Sequence, residues 1–347
     1  MESRTQAGGS GWVLLAASLW GTTGTAMTYA PAGPVSVGAA RIVIGGLLLL
    51  AVAASGQGLS RLLRAARSNP RDGAALRDGA ALRDGAALRD GAALRDGAAL
   101  RGGAALRGGA GLPNRVLVAL GAVCVAVYQV AFFVAVSRTG VATGSVVAIG
   151  SGPVFAGLLA VLTGGGRPSR RWLLATAGAV VGCTALVTGG QQAGVEPVGV
   201  LLALLSGFGY ATYATIAGRL IGRGEDHRAV VAGLFAGAAV LLLPVLVWSG
   251  PGWLASPRGL AVAAYLGVVT TTLGYLWYGR GLRTTPVAVA TTLTLAEPAV
   301  AAVLGFVLLD ERLGLPAMVG LTVLAASLLL LVLPARRRAA PGSPRAS

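Results

Sequence analysis

Two ionisable residues stand inside long apolar runs, Glu297 and Arg41. Glu297 lies in the run Leu293–Arg312, which matches the ~20 residues a helix needs to cross a bilayer. A charge at membrane depth is expensive, so it usually faces a bundle interior and often marks a transport path. A carboxyl kept from water there could exchange a proton near neutral pH, which is the chemistry of a coupling proton. The next residue, Pro298, has no N–H to donate and weakens the helix. The alternative role for Glu297 is therefore to cap that break. Arg41 sits some eight residues into another apolar run, about 12 Å deep at 1.5 Å per residue. It pairs with a carboxylate, binds an anionic group of a substrate, or snorkels to the headgroups.

Uncharged polar and aromatic side chains gather in the same kinds of run. Trp20, Thr22, Thr23 and Thr25 share one; Tyr128 and Gln129 share another; Tyr210, Thr212 and Tyr213 a third; Thr270, Thr271, Thr272, Tyr275, Trp277 and Tyr278 a fourth. Thr291, Thr292 and Thr294 precede Glu297. The residues selected as substrate-binding are Trp20, Thr25, Arg41, Tyr128, Gln129, Tyr213, Tyr275, Thr294 and Glu297, with Glu297 also the proton-coupling residue and Pro153 and Pro298 as helix breaks. Threonines also bond to their own helix carbonyls, and end-placed Tyr and Trp anchor at interfaces; Trp248 and Trp253 fit that second role. No catalytic motif, Walker A sequence or Cys/His ligand spacing is present, so neither enzyme, cofactor nor metal is indicated. Cys124 and Cys183 both lie in apolar runs, and His227 sits in a charged loop beside Glu225 and Asp226.

These residues need helices to hold them. The chain has 347 residues, 55% hydrophobic and 12% charged, against about 25% charged in soluble domains. Its apolar runs are continuous rather than alternating, which selects helices over a β-barrel. Ten spans are expected, at 11–30, 34–54, 115–136, 141–163, 171–189, 196–218, 229–249, 259–279, 286–309 and 314–334. The first reads as an uncleaved span rather than a signal peptide, because its leader Met1–Arg4 is weakly basic and nine runs follow. The net charge of +16 comes from 28 arginines without a lysine, placed between the runs; this argues for membrane sidedness and against nucleic acid. With the N-terminus cytoplasmic, only Arg138, Arg258 and Arg312 fall outside and Arg41 within a span, leaving 24 inside. Both termini are thus expected in the cytoplasm of a multi-pass cell-membrane protein: 1–10 as a tail and 335–347 as a basic tail.

From Arg71 to Leu112 the chain repeats a hexapeptide, RDGAAL five times, then RGGAAL and RGGAGL. Six is not a multiple of 3.6, so its leucines form no helical stripe. It reads as a cytoplasmic low-complexity insert. Around it, the chain repeats itself: Arg138, Thr139, Pro153 and Arg167 meet Arg283, Thr284, Pro298 and Arg312 at an offset of 145. Ser18-Leu-Trp-Gly21 meets Ser206-Gly-Phe-Gly209 at 188, and the difference of 43 is nearly the 42 residues of the array. Two five-helix halves follow, 11–189 and 190–334. An odd number of spans per half makes the halves inverted, as in secondary transporters.

On Leu19-Trp20-Gly21, Arg41, Pro153, Glu297-Pro298 and the closing Asp310-Glu311-Arg312, together with ten spans in five-plus-five order, the chain resembles the EamA-type transporters of the drug/metabolite transporter superfamily. The resemblance covers all but the array and tails. It implies an all-α bundle of ten helices around a central cavity, exporting small metabolites, often amino acids or drugs, by alternating access. The chain departs from its own repeat at Gly152, which stands where the second half has Glu297. The expected partners are a small-molecule substrate and the bilayer, and a homodimer is compatible with this reading. The rival readings are a membrane enzyme on lipid-like substrates, which would need clustered acids or histidines, and a scaffold docking through its arginine array.

Overall fold

The computed structural model describes residues 2–55, 112–164, 166, 168–188, 196–308 and 314–333. All of the hexapeptide array except Leu112 lies outside the described residues, as do Arg167, most of the loop 189–196, Asp310–Arg312 and the basic tail.

The chain is all-α and polytopic. Its helices are α1 (Glu2–Thr28), α2 (Pro34–Ser55), α3 (Asn114–Thr139), α4 (Gly144–Leu162), α5 (Arg170–Thr188), α6 (Pro197–Gly222), α7 (His227–Trp248), α8 (Pro257–Gly281), a two-part α9 (Val287–Leu293 and Ala296–Leu308) and α10 (Leu315–Val332). Among the described residues nine spans are long and apolar enough to cross a membrane, and α1, with 27 residues, has the length. Outward faces carry Leu162, Leu174, Val181, Val240 and Leu315 in exposed positions; lipid, not water, suits such a surface.

Helix ends follow local chemistry. Glu196 caps α6 by accepting the Gly199 N–H, with Pro197 in the first turn. Asp226 does so for α7 through the N–H groups of Arg228 and Ala229, and Ser256 for α8 through Gly259. At the end of α6, Gly224 has φ +93°, and the Glu225 and Gly224 N–H groups bond back to the Leu220 and Ile221 carbonyls. That is the Schellman closure, which needs a residue tolerant of positive φ.

Three features differ from the expected spans. First, α1 begins at Glu2 rather than near residue 11, so the helix extends through residues 2–10 ahead of the expected span. Second, the backbone stays helical from Asn114 to Leu162 where a loop was expected at 137–140. A straight helix would place Val136 and Gly144 about 12 Å apart, yet a Cβ on Gly144 would lie 3.0 Å from the Val136 Cα. The chain therefore doubles back, and α3 and α4 form a hairpin. Third, α8 carries a π-helical segment, Tyr265–Leu273. Thr271 and Thr272 donate their hydroxyls to the carbonyls of Leu266 and Gly267, five residues back, and Thr272 also reaches the Gly45 carbonyl of α2.

Helix packing follows an exchange rule. α1 packs on α8 and α9, while α6 packs on α3 and α4; α2 faces α7, and α5 faces α10. Adding five to each helix number maps these pairs onto one another. Loop contacts sort into two sets as alternate crossing requires. On one side, Arg223 donates to Asn114 and Asn114 to Glu225, each at 2.7 Å, and Arg280 lies 4.5 Å over the Trp12 ring. On the other, Arg138 pairs with Glu196 at 3.3 Å and Arg258 lies 5.7 Å over Tyr29. Exposed pairs of this kind contribute about 0–1 kcal/mol; their value here is to identify which loops share a face.

Candidate central cavity

The break in α9 builds the site. Pro298 cannot donate to the carbonyl four residues back, which is that of Thr294, and its ring crowds it. The helix stops at Leu293, turns through Thr294 and Leu295, and restarts at Ala296, placing Glu297 in the first turn of the second piece. Its counterpart Pro153 was expected to break its helix too. It does not: α4 is continuous across it, because neighbouring bonds can absorb one missing N–H.

Both pieces of α9 are pinned. The first is held by α5, where Trp172 donates to the Ala288 carbonyl and Thr176 and Thr292 share a hydrogen bond, each at 2.9 Å. The second is held by α1. A Cβ on Gly21 would lie 2.7 Å from the Glu297 carbonyl and 2.7 Å from the Val300 Cβ, so only glycine allows this approach.

Immediately before Gly21, Trp20 donates its indole N–H to the Thr270 carbonyl at 2.9 Å, inside the π segment of α8. Its ring packs on Tyr275 at 4.8 Å and Tyr278 at 5.4 Å between centroids. The Tyr128 and Tyr275 hydroxyls are 2.6 Å apart, and Tyr210 lies 3.0 Å from the Thr294 hydroxyl. Ser206 donates to the Tyr128 carbonyl, fixing α6 on α3.

These helices enclose a cavity of about 100 Å³. Of the residues selected from sequence, Trp20, Arg41, Tyr128, Gln129, Tyr275, Thr294 and Glu297 line it. Thr25 and Tyr213 do not. Thr25 is five residues from Trp20, which turns it 140° away around the helix; Thr23, three residues on, takes the wall position. Tyr213 is 1% exposed and lies behind the wall, stacked on Tyr128 with centroids 5.5 Å apart. Selection also missed Phe132, Ala148, Ile149, Ser206 and Tyr210. Helical phase would have found some of them: Phe132 follows Gln129 by three residues, and Ser206 precedes Tyr210 by four.

Among the described residues, Glu297 is the one acid on the wall and Arg41 the one base. Among the described residues the sole ion pair is Arg138–Glu196, so Arg41 and Glu297 are not paired. Gly152, at the repeat position of Glu297, has no side chain because Tyr210 is there: a Cβ would lie 2.9 Å from its ring. Among the described residues, no three His, Cys, Asp or Glu side chains group as metal ligands.

The EamA-like transporter family matches residues 197–333, the span from α6 to α10. The "Uncharacterized transporter YwfM" of Bacillus subtilis is 33% identical over 323 residues, covering 92% of both chains. The "Uncharacterized inner membrane transporter YicL" of Salmonella typhimurium is 27% identical over 213 residues, 61% of this chain and 70% of that one. One solved crystal structure superposes with a TM-score of 0.68 at 18% identity, covering 93% of this chain and 96% of that chain; that likeness is one of fold.

Proposed function

Since the chain belongs to the EamA-like transporter family, we propose that this membrane transporter exports small organic metabolites, such as amino acids or drugs, by alternating access. The two inverted halves are 11–189 and 190–334, and the array at 71–112 is an insert in the first. Support for the repeat comes from the packing exchange between helices and from the family match, which spans one five-helix unit. The observation that carries the transport reading is the cavity itself. It lies where helices of both halves meet and holds a carboxylate and a guanidinium that are not paired with each other. Such groups are retained at membrane depth for solute or ion handling. We assign Trp20, Arg41, Tyr128, Gln129, Tyr275 and Thr294 to the substrate and Glu297 to proton coupling.

The test is a metabolite screen of cells expressing the chain, followed by flux in proteoliposomes. Solutes that leave faster from expressing cells, and cross vesicles only when the protein is present, support the reading. No protein-dependent flux of any solute overturns it.

Orientation is checked separately. Both termini and the array are assigned to the cytoplasm, the side of Asn114 and Arg223. With Cys124 and Cys183 replaced, a cysteine at exposed Arg258 is expected to react with an impermeant maleimide in intact cells. One at exposed Arg115 is expected to react only after lysis. The reverse pattern inverts the topology.

The array is expected to be dispensable for folding, because it has no counterpart in the second half. A chain lacking 71–112 should insert and unfold within a few degrees of the full chain. A large drop in its thermal midpoint would show that the array packs on the bundle.

A further inference from the structure

Three polar atoms on the cavity wall are buried without a hydrogen-bond partner: Thr23 Oγ1 from α1, Arg41 Nε from α2 and Gln129 Nε2 from α3. Arg41 is 8% exposed and Gln129 4%. Buried polar groups are nearly always bonded, and leaving one unmet is costly. All three can donate. The wall's tyrosine hydroxyls are already engaged, Tyr128 with Tyr275 and Tyr210 with Thr294.

The packing places two of the donors side by side. A Cβ on Gly38 would run into the Phe133 ring, so α2 and α3 touch there. Successive spans run antiparallel. One turn forward on α2 from Gly38 is Arg41, and one turn back on α3 from Phe133 is Gln129. The guanidinium and the amide therefore stand at the same level of the cavity, with the Trp20, Tyr128 and Tyr275 rings beside them.

We propose that Arg41 and Gln129 form an oxyanion subsite, and that the transported solutes carry a carboxylate which docks there with an apolar or aromatic body against Trp20, Tyr128 and Tyr275. The proposal rests on the transport reading and narrows its substrate class. Arg41 suits a carboxylate because its planar fork matches two oxygens at once. Glu297, on the same wall, disfavours a second negative charge on the solute.

The experiment measures binding by titration calorimetry to the full chain purified in detergent. The probes are 3-phenylpropanoate, its neutral amide 3-phenylpropanamide, and inorganic phosphate. The acid is expected to bind at least about tenfold more tightly than the amide, and phosphate to compete weakly. Arg41→Gln should weaken the acid on the order of a hundredfold and leave the amide unchanged. Where Arg41→Gln does not yield a monodisperse protein, Gln129→Leu carries the test, with a loss of about tenfold for the acid alone. Equal binding of acid and amide, no binding of either, tighter binding of phosphate than of the acid, or an unchanged acid affinity in a folded variant each overturns the subsite. The two readings fail separately. A chain that binds the acid through Arg41 but moves no solute overturns transport and keeps the subsite. One that moves acids and amides equally, with or without Arg41, keeps transport and loses the subsite.

Discussion

Glu297→Gln is expected to abolish proton-driven uphill flux, down to the leak of protein-free vesicles, while the protein level and substrate binding persist. The substitution keeps the shape of the side chain and removes its titration. Among the described residues Glu297 is the one acid on the cavity wall, seated in the first turn of a helix piece restarted after a break. Among the described residues no other wall carboxyl can take over its proton. Exchange of solute for solute moves no net proton, so it is expected to survive in the variant. Both fluxes are measured in proteoliposomes with and without an imposed pH gradient. Wild-type uphill flux with an unchanged pH dependence would leave Glu297 as a residue that only closes the break at Pro298.

Gly21→Val is expected to damage the same site from behind. Its Cβ would stand 2.7 Å from the Glu297 carbonyl and from the Val300 Cβ. Neither is the loose end of a flexible side chain, so α1 and the second piece of α9 must separate. Overpacking of this kind costs about 1–3 kcal/mol. It also carries Trp20 and Glu297 apart, so flux should fall more than stability does. A thermal melt and a flux assay on the same preparation check this. Gly21→Val with wild-type midpoint and flux would mean that the two helices do not meet as described.

Some of this was legible in the residues alone. Ten helices were, because each apolar run is continuous and near the length that crosses lipid. The inward placement of Glu297 and Arg41 was, because a charge inside such a run is costly against lipid. The division between α3 and α4 was, since Ser137-Arg-Thr-Gly140 interrupts the apolar run, although the backbone there stays helical rather than forming an open loop. Thr25 and Tyr213 were chosen for type and depth, whereas the wall is set by angle around the helix, which brings Thr23 and Tyr210 to it instead. The π segment Tyr265–Leu273 was hidden because one extra residue per turn leaves composition and hydropathy unchanged. Its signal, in retrospect, is the run Thr270-Thr271-Thr272, whose hydroxyls bond to carbonyls four and five residues back. Pro153 and Pro298 show the limit of reading by type, since the same residue at matching positions leaves one helix continuous and divides the other.

Gly152, occupied in effect by the Tyr210 ring, bears on the stoichiometry of the cycle proposed for Glu297. Had the first half carried the carboxylate of the second, two titrating groups would face one cavity and two protons could cross per cycle. With the mirror position filled by a ring, the wall offers one carboxyl among the described residues. A cycle driven through Glu297 then exchanges a single proton, and when the solute bears no net charge each turnover moves one elementary charge across the bilayer. One charge is worth about 2.3 kcal/mol per 100 mV, so such a membrane voltage alone would hold a solute gradient of roughly 50-fold. On the proposed coupling, a missing side chain at residue 152 would set the ceiling on accumulation.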